Sequence, residues 1–186
     1  MTAGNRFCVF HVVAVIGLVV ICARGATTAP STQPDSKTFQ NAAAGIRFKY
    51  PADWTPVKAA TAVFDIAEPA DCAGCASLCL DVPNLPPAIF RGMITPAMVE
   101  NGYVKDLRKH QIHDAQVNES IELKVPASNA RRLKCSGHED GKVAIDVAVL
   151  IVHADRIYIF SCDSDDKGYA NARKALDDAV ASVQWR

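Results

Sequence analysis

The ten residues from Val143 to Val152, VAIDVAVLIV, are apolar at every position except Asp146. A strand with one wet face alternates apolar and polar side chains, so a run this apolar and this rich in Val and Ile reads as a central strand covered on both faces. That single inference requires a sheet with a packed layer on each side. The flanking segments supply the rest of the sheet. His138 to Gly141 and His153 to Arg156 are short and contain Asp, with Gly141 in the first, which predicts tight turns and antiparallel neighbours. Those neighbours are Ala130 to Cys135 and Ile157 to Cys162. Ahead of them, Val117, Ser120-Ile121, Leu123 and Val125 carry a period near two that stops at Pro126.

Two helices are predicted. Thr95-Pro96 offers an N-cap hydroxyl followed by a proline at the first helical position, and Val99, Tyr103 and Leu107 then recur every four residues before the helix ends near His110. From about Asp165 to Val183, Tyr169, Ala172, Leu176, Ala179 and Val180 have helical spacing, with Asp165 and Asp166 in the first turn beside the positive end of the dipole. Nearer the N-terminus, Ile46, Phe48 and Tyr50 alternate with Arg47 and Lys49, and Pro51 ends that strand. Trp54 follows closely enough to fold back as a core anchor. Thr61 to Glu68 and Ser77 to Val82 form a predicted hairpin around the loop Pro69 to Ala76. Together these elements give an α+β fold, a single α-β-α sandwich with a mostly antiparallel sheet, a mid-chain helix and a C-terminal helix packed on it.

The order of elements resembles the PsbP-like superfamily. The resemblance runs from about Phe39 to Trp185 and rests on the strand-Pro-x-x-Trp unit at Pro51 to Trp54, the hairpin, the helix, the meander and a terminal helix ending in Val183-Gln184-Trp185. That superfamily holds extrinsic photosystem subunits, small secreted bacterial domains of unknown function and a eukaryotic regulator of the Ran GTPase. What it implies is a sandwich used mostly for non-catalytic binding. It carries no family-wide catalytic residue to transfer and implies no photosystem partner.

The N-terminus indicates where the protein works. Met1 to Arg6 is a short basic start and Phe7 to Ala23 is almost unbroken in apolar side chains, with small residues Ala23 and Gly25 before Ala26. This predicts a signal peptide over 1–25 and a secreted or periplasmic protein. The alternative is an uncleaved membrane anchor, because the run approaches the roughly 20 residues that a span needs. Ile21 stands where a lipidation signal would place a small residue before Cys22, which disfavours a lipoprotein. Residues 26–37, rich in Thr, Pro, Ser and Gln, read as a disordered linker, and 38–186 as the domain. Cleavage removes Arg6 and Arg24 from the 20 basic side chains and leaves 18 against 20 acidic ones. A balance near neutrality without a basic cluster argues against nucleic acid, so the partner is expected to be a protein of unknown identity, with no membrane span after cleavage.

Cys72-x-x-Cys75-x-x-x-Cys79 is the one local constellation with chemical promise. In an exported chain it reads first as a disulfide among Cys72, Cys75 and Cys79 that staples the hairpin loop, with buried free thiols, a metal site and a redox module as alternatives. Zinc needs a fourth ligand that sequence cannot place, although His110, His113 and His138 are available. Glu68 and Asp71 precede Cys72 and oppose a thiolate. Haem attachment would require histidine at position 76, which is alanine. With the meander turns centred on Glu139/Asp140 and Ala154/Asp155, Cys135 falls opposite Ala144 and Cys162 opposite Val147. The two thiols then face opposite sides of the sheet about 10 Å apart, beyond the roughly 7 Å reach of a disulfide. His110-x-x-His113-Asp114 and His138-Glu139-Asp140 contain metal-competent groups, but a polar helix end and a hairpin tip explain them without a ligand. No Gly-x-Ser-x-Gly elbow surrounds any serine. Asp146 is the candidate for a perturbed carboxylate, the alternative being a rim position paired with Arg131 or Arg132. The expected function is therefore a non-catalytic exported domain that binds a protein or supports an extracytoplasmic assembly, with no enzyme activity and no cofactor. The alternative is a metal-binding or thiol-redox module using Cys72, Cys75 and Cys79.

Overall fold

The computed structural model describes residues 35–57, 62–69, 76–84 and 92–186. Ten strands and two helices follow the chain among these: β1 (Ser36–Asn41), β2 (Ile46–Pro51), β3 (Thr55–Pro56), β4 (Phe64–Ala67), β5 (Ser77–Asp81), α1 (Pro96–His110), β6 (Gln116–Val125), β7 (Ser128–Glu139), β8 (Lys142–His153), β9 (Arg156–Ser164), α2 (Tyr169–Ala181) and β10 (Gln184–Trp185). Seven strands form one antiparallel sheet in the order β3-β4-β5-β9-β8-β7-β6. The remaining three form a small sheet, β1-β2-β10, which brings the N-terminal hairpin against the C-terminal strand.

β8 has neighbours on both sides and cover on both faces, as its composition requires. Ile145, Val147, Val149 and Ile151 enter the larger core with Ala172, Leu176 and Ala179 of α2 and with Ile46, Phe48 and Trp54. Ala148 and Leu150 point the other way, into a smaller core with Val104 and Leu107 of α1. The two helices therefore lie on opposite faces, and the small sheet shares the face of α2. Phe48 sits at the centre of an aromatic group, with ring centroids 5.1 to 5.2 Å from Phe39, Phe64 and Phe160. Trp54 is 4% exposed and its backbone N–H closes a turn onto the Pro51 carbonyl at 3.3 Å.

The predicted elements hold their places with four local differences. β1 takes in Ser36 and Lys37, which composition assigns to the linker, because they pair with Pro51 and Tyr50 of β2. The C-terminal helix begins at Tyr169, later than Asp165. Asp165 instead stands before it and accepts a hydrogen bond from the Gly168 N–H at 2.7 Å. Gln184-Trp185 leaves the helix and pairs with Arg47 and Ile46 of β2. Finally, the β7–β8 loop is Asp140-Gly141, both at positive φ, and not Glu139/Asp140. Asp-Gly tolerates left-handed backbone that Glu does not, so the turn moves by one residue and Cys135 pairs with Asp146 instead of Ala144. The shift is two residues in register, so facing is preserved: Cys135 lies in the α1-side core and Cys162 in the α2-side core.

Candidate functional site

Asp146 lies in the middle of β8 at 1% exposure, flanked in one cross-strand row by Cys135 of β7 and Asp163 of β9. It is not a rim residue. Arg131 and Arg132 sit opposite Leu150 and Val149, too far along the ladder to reach it, and bind Glu100 and Glu119 instead, each at 2.9 Å. Asp146 shares a side-chain hydrogen bond with Asp163 beside it and has a second partner on α1. Val99, Tyr103 and Leu107 share the helix face that packs on the sheet, and the Tyr103 hydroxyl donates to both carboxylate oxygens, at 2.9 and 2.8 Å.

Burial pushes the Asp146 carboxyl well above the usual carboxylate range, the nearby charge of Asp163 adds to this, and the Tyr103 hydrogen bond works against it. Burial and the Asp146 charge likewise raise the Tyr103 phenol. The Cys135 thiol is pushed up to about 12, first by burial and then by Asp146. Cys162, on the other face, is raised well above the ordinary thiol range by burial and then by Asp163. A thiol held this high is a poor nucleophile. A carboxyl, a phenol and a thiol thus pack together beneath α1.

Cys79 lies on β5, opposite Ser161 of β9, and is buried with its Sγ 3.8 Å from Asp81 Oδ2. Cys72 and Cys75 lie outside the described residues, so the disulfide and metal readings of that loop stay as sequence-level proposals. Among the described residues no three metal-competent side chains converge. His110 lies 3.6 Å from Asp106, and His113 Nδ1 lies 2.8 Å from the Arg108 carbonyl. Two residues from the separate histidine constellations meet, a contact the sequence did not predict. Asp114 accepts from the His138 backbone N–H at 2.7 Å and lies 2.8 Å from its Nδ1, and this contact lowers the Asp114 carboxyl. The approach depends on Gly137, where a Cβ would overlap Asp114 Oδ1 and Ile112 Cγ2.

Sequence reasoning did not find the Tyr103–Asp146 bond, although the signal was present: a tyrosine on the apolar face of a helix and one acid in an apolar strand each need a polar partner. Nor did it find the stack of His153 on Trp185, whose rings lie 4.0 Å apart at 8°. Trp185 also donates to the Pro126 carbonyl at 3.0 Å. Nothing local in the chain announces that contact. Two concave regions among the described residues lie elsewhere than Asp146. One, of about 310 Å³, is lined by Gly92, Ile94, Ser128 and Val152, and another of the same size runs between α1 and β6 past Glu100, Val104, Arg108 and Val117.

No family model matches the chain, and comparison with curated proteins gives no match. Solved structures do match. The chain is similar to the solution structure of the cyanobacterial PsbP protein CyanoP from Synechocystis sp. PCC 6803, with a TM-score of 0.61 at 12% identity over 87% of this chain and 98% of that one. It is similar to a protein of unknown function from Pseudomonas aeruginosa, with a TM-score of 0.55 at 12% identity over 81% of this chain and 97% of that one. A Bacteroides thetaiotaomicron protein gives 0.56 at 15% identity, over 81% of this chain and 48% of that one. With α1 and α2 on opposite faces of an antiparallel sheet, and with matches that span most of the chain, the fold is the PsbP-like α-β-α sandwich.

Proposed function

We propose that the chain is exported and works as a non-catalytic binding domain that engages a protein partner or supports an extracytoplasmic assembly. The observation that carries this reading is the sealing of Asp146. Asp146, whose carboxyl burial raises, is 1% exposed and capped by Tyr103, whereas a general acid or base must reach the proton it transfers. Its placement suits a polar tie between helix and sheet. The PsbP-like fold and the N-terminal basic and apolar segments support the same reading, with residues 1–25 as a signal peptide and 26–37 mainly as a linker. Cys72, Cys75 and Cys79 then serve as a staple for the β4–β5 connection.

Native mass spectrometry of the protein recovered from an exporting host tests each part. The expected spectrum shows a chain that begins at Ala26, carries one disulfide among Cys72, Cys75 and Cys79, and includes a stoichiometric complex with another protein. A bound zinc, or readily alkylated Cys72 and Cys75, would shift the reading to the metal or thiol module. Saturable turnover of any substrate that is lost in Asp146→Asn would overturn it.

A further inference from the structure

We propose that the outer edge of β6 pairs with the β6 edge of a second copy of this chain, fusing two seven-stranded sheets into one antiparallel sheet about a two-fold axis at Leu123. β6 closes its sheet, and among the described elements its one strand partner is β7. It is ten residues long and contains no proline. Every second residue of an edge strand turns its N–H and C=O outward, and these groups fit an extended backbone.

The side chains favour a copy of the same strand. A two-fold axis perpendicular to the sheet keeps each face on its own side, so facing residues must share a face. Glu122 is opposite Arg131, which reaches Glu100 of α1, and this places Glu122 and its i+2 neighbour Lys124 on the α1 face. Ile121, Leu123 and Val125 lie on the other face, where Leu123 and Val125 join the larger core and Ile121 is 39% exposed. Centred on Leu123, the pairing sets Glu122 against Lys124 twice, Ile121 against Val125 twice and Leu123 against itself. Centred on Glu122, it would set two carboxylates face to face. Centred on Ile121, it would leave Glu122 facing Ser120 with no ion pair. Charge therefore selects the register. The irregularity between Val117 and Glu119 lies outside the overlap, and Pro126 bounds it at the other end.

The overlap is short, so the expected association is weak, with a dissociation constant of roughly 10 μM to 1 mM. This pairing stands independently of the foreign partner proposed above. Sedimentation equilibrium of the purified chain and three variants tests it. Wild type is expected to show a reversible monomer–dimer equilibrium. Glu122→Lys and Lys124→Glu each place like charges opposite one another twice, and each is expected to raise the dissociation constant about tenfold or more. The double variant restores both pairs and is expected to return within about threefold of wild type. Wild type that stays monomeric up to about 1 mM, singles that dimerise as well as wild type, or a double variant that stays monomeric would each overturn the pairing. A monomer carrying a foreign strand on β6 would do so as well. Glu122 lies 3.7 Å from Arg131 and its side chain is 86% exposed, so the reversals are expected to fold. Ile121→Lys is the substitute for either single that does not, and it too must abolish the dimer.

Discussion

The Tyr103 hydroxyl lies 2.9 and 2.8 Å from the two carboxylate oxygens of Asp146, and this is the polar contact that ties α1 to the centre of the sheet. A helix docked only by Val104 and Leu107 could slide by a turn. This hydrogen bond to a single buried acid, with the Glu100–Arg131 ion pair, fixes its phase and height.

Tyr103→Phe keeps the ring and removes the donor. Both oxygens of a buried acid are then left without this partner, which costs about 1–3 kcal/mol. Urea unfolding is expected to show that loss with little change in the slope against denaturant. A variant as stable as wild type would mean that Asp146 does not depend on this hydroxyl.

The raised Asp146 carboxyl makes stability depend on pH in a stated direction. Below about pH 3.9 the group is protonated in both the folded and the unfolded chain. Above that, the unfolded carboxyl ionises while the folded one keeps its proton, so stability falls as pH rises until the folded pKa is reached. Asp146→Asn removes this contribution. Its stability relative to wild type should increase from about pH 4 until the folded pKa is reached, and parallel stability curves for the two proteins would count against a raised Asp146 carboxyl.

Gly137 is needed for space. A methyl there overlaps Asp114 Oδ1 and Ile112 Cγ2, and displacing them disturbs the connection from α1 into β6. Gly137→Ala is expected to cost about 1–3 kcal/mol, as overpacking generally does. It should also shift the His138 ring resonances in an NMR spectrum, because Asp114 holds both the backbone and the ring of His138.

Cys135 and Cys162 should resist alkylation in the folded protein, since both are fully buried and burial is the main cause that raises both thiols. Iodoacetamide followed by peptide mass mapping is expected to modify them only after unfolding. Rapid labelling of Cys135 at neutral pH would contradict its position under α1.

Phe48→Ala should be the most damaging of these substitutions, at about 3–5 kcal/mol. Phe48 is fully buried among Phe39, Phe64 and Phe160 and joins the small sheet to the large one. Thermal unfolding provides the measurement, and a loss below about 1 kcal/mol would show that the two sheets are not coupled through this ring.

The sequence by itself determined the architecture wherever the information was local. Val143 to Val152 announced a strand covered on both faces, Thr95-Pro96 announced the start of α1, and Pro51 announced the end of β2, because propensity, capping and periodicity act over a few residues. The odd offset that separates Cys135 from Cys162 across the sheet was legible too, since a two-residue error in register leaves the facing of side chains unchanged. Only the tertiary structure decided which groups meet. Tyr103 finds Asp146 across 43 residues, Asp114 finds His138 across 24, and Trp185 reaches Pro126 across 59. Such contacts depend on how α1 and the termini dock on the sheet, and docking is set by the summed shape of two cores, which no short stretch of the chain encodes.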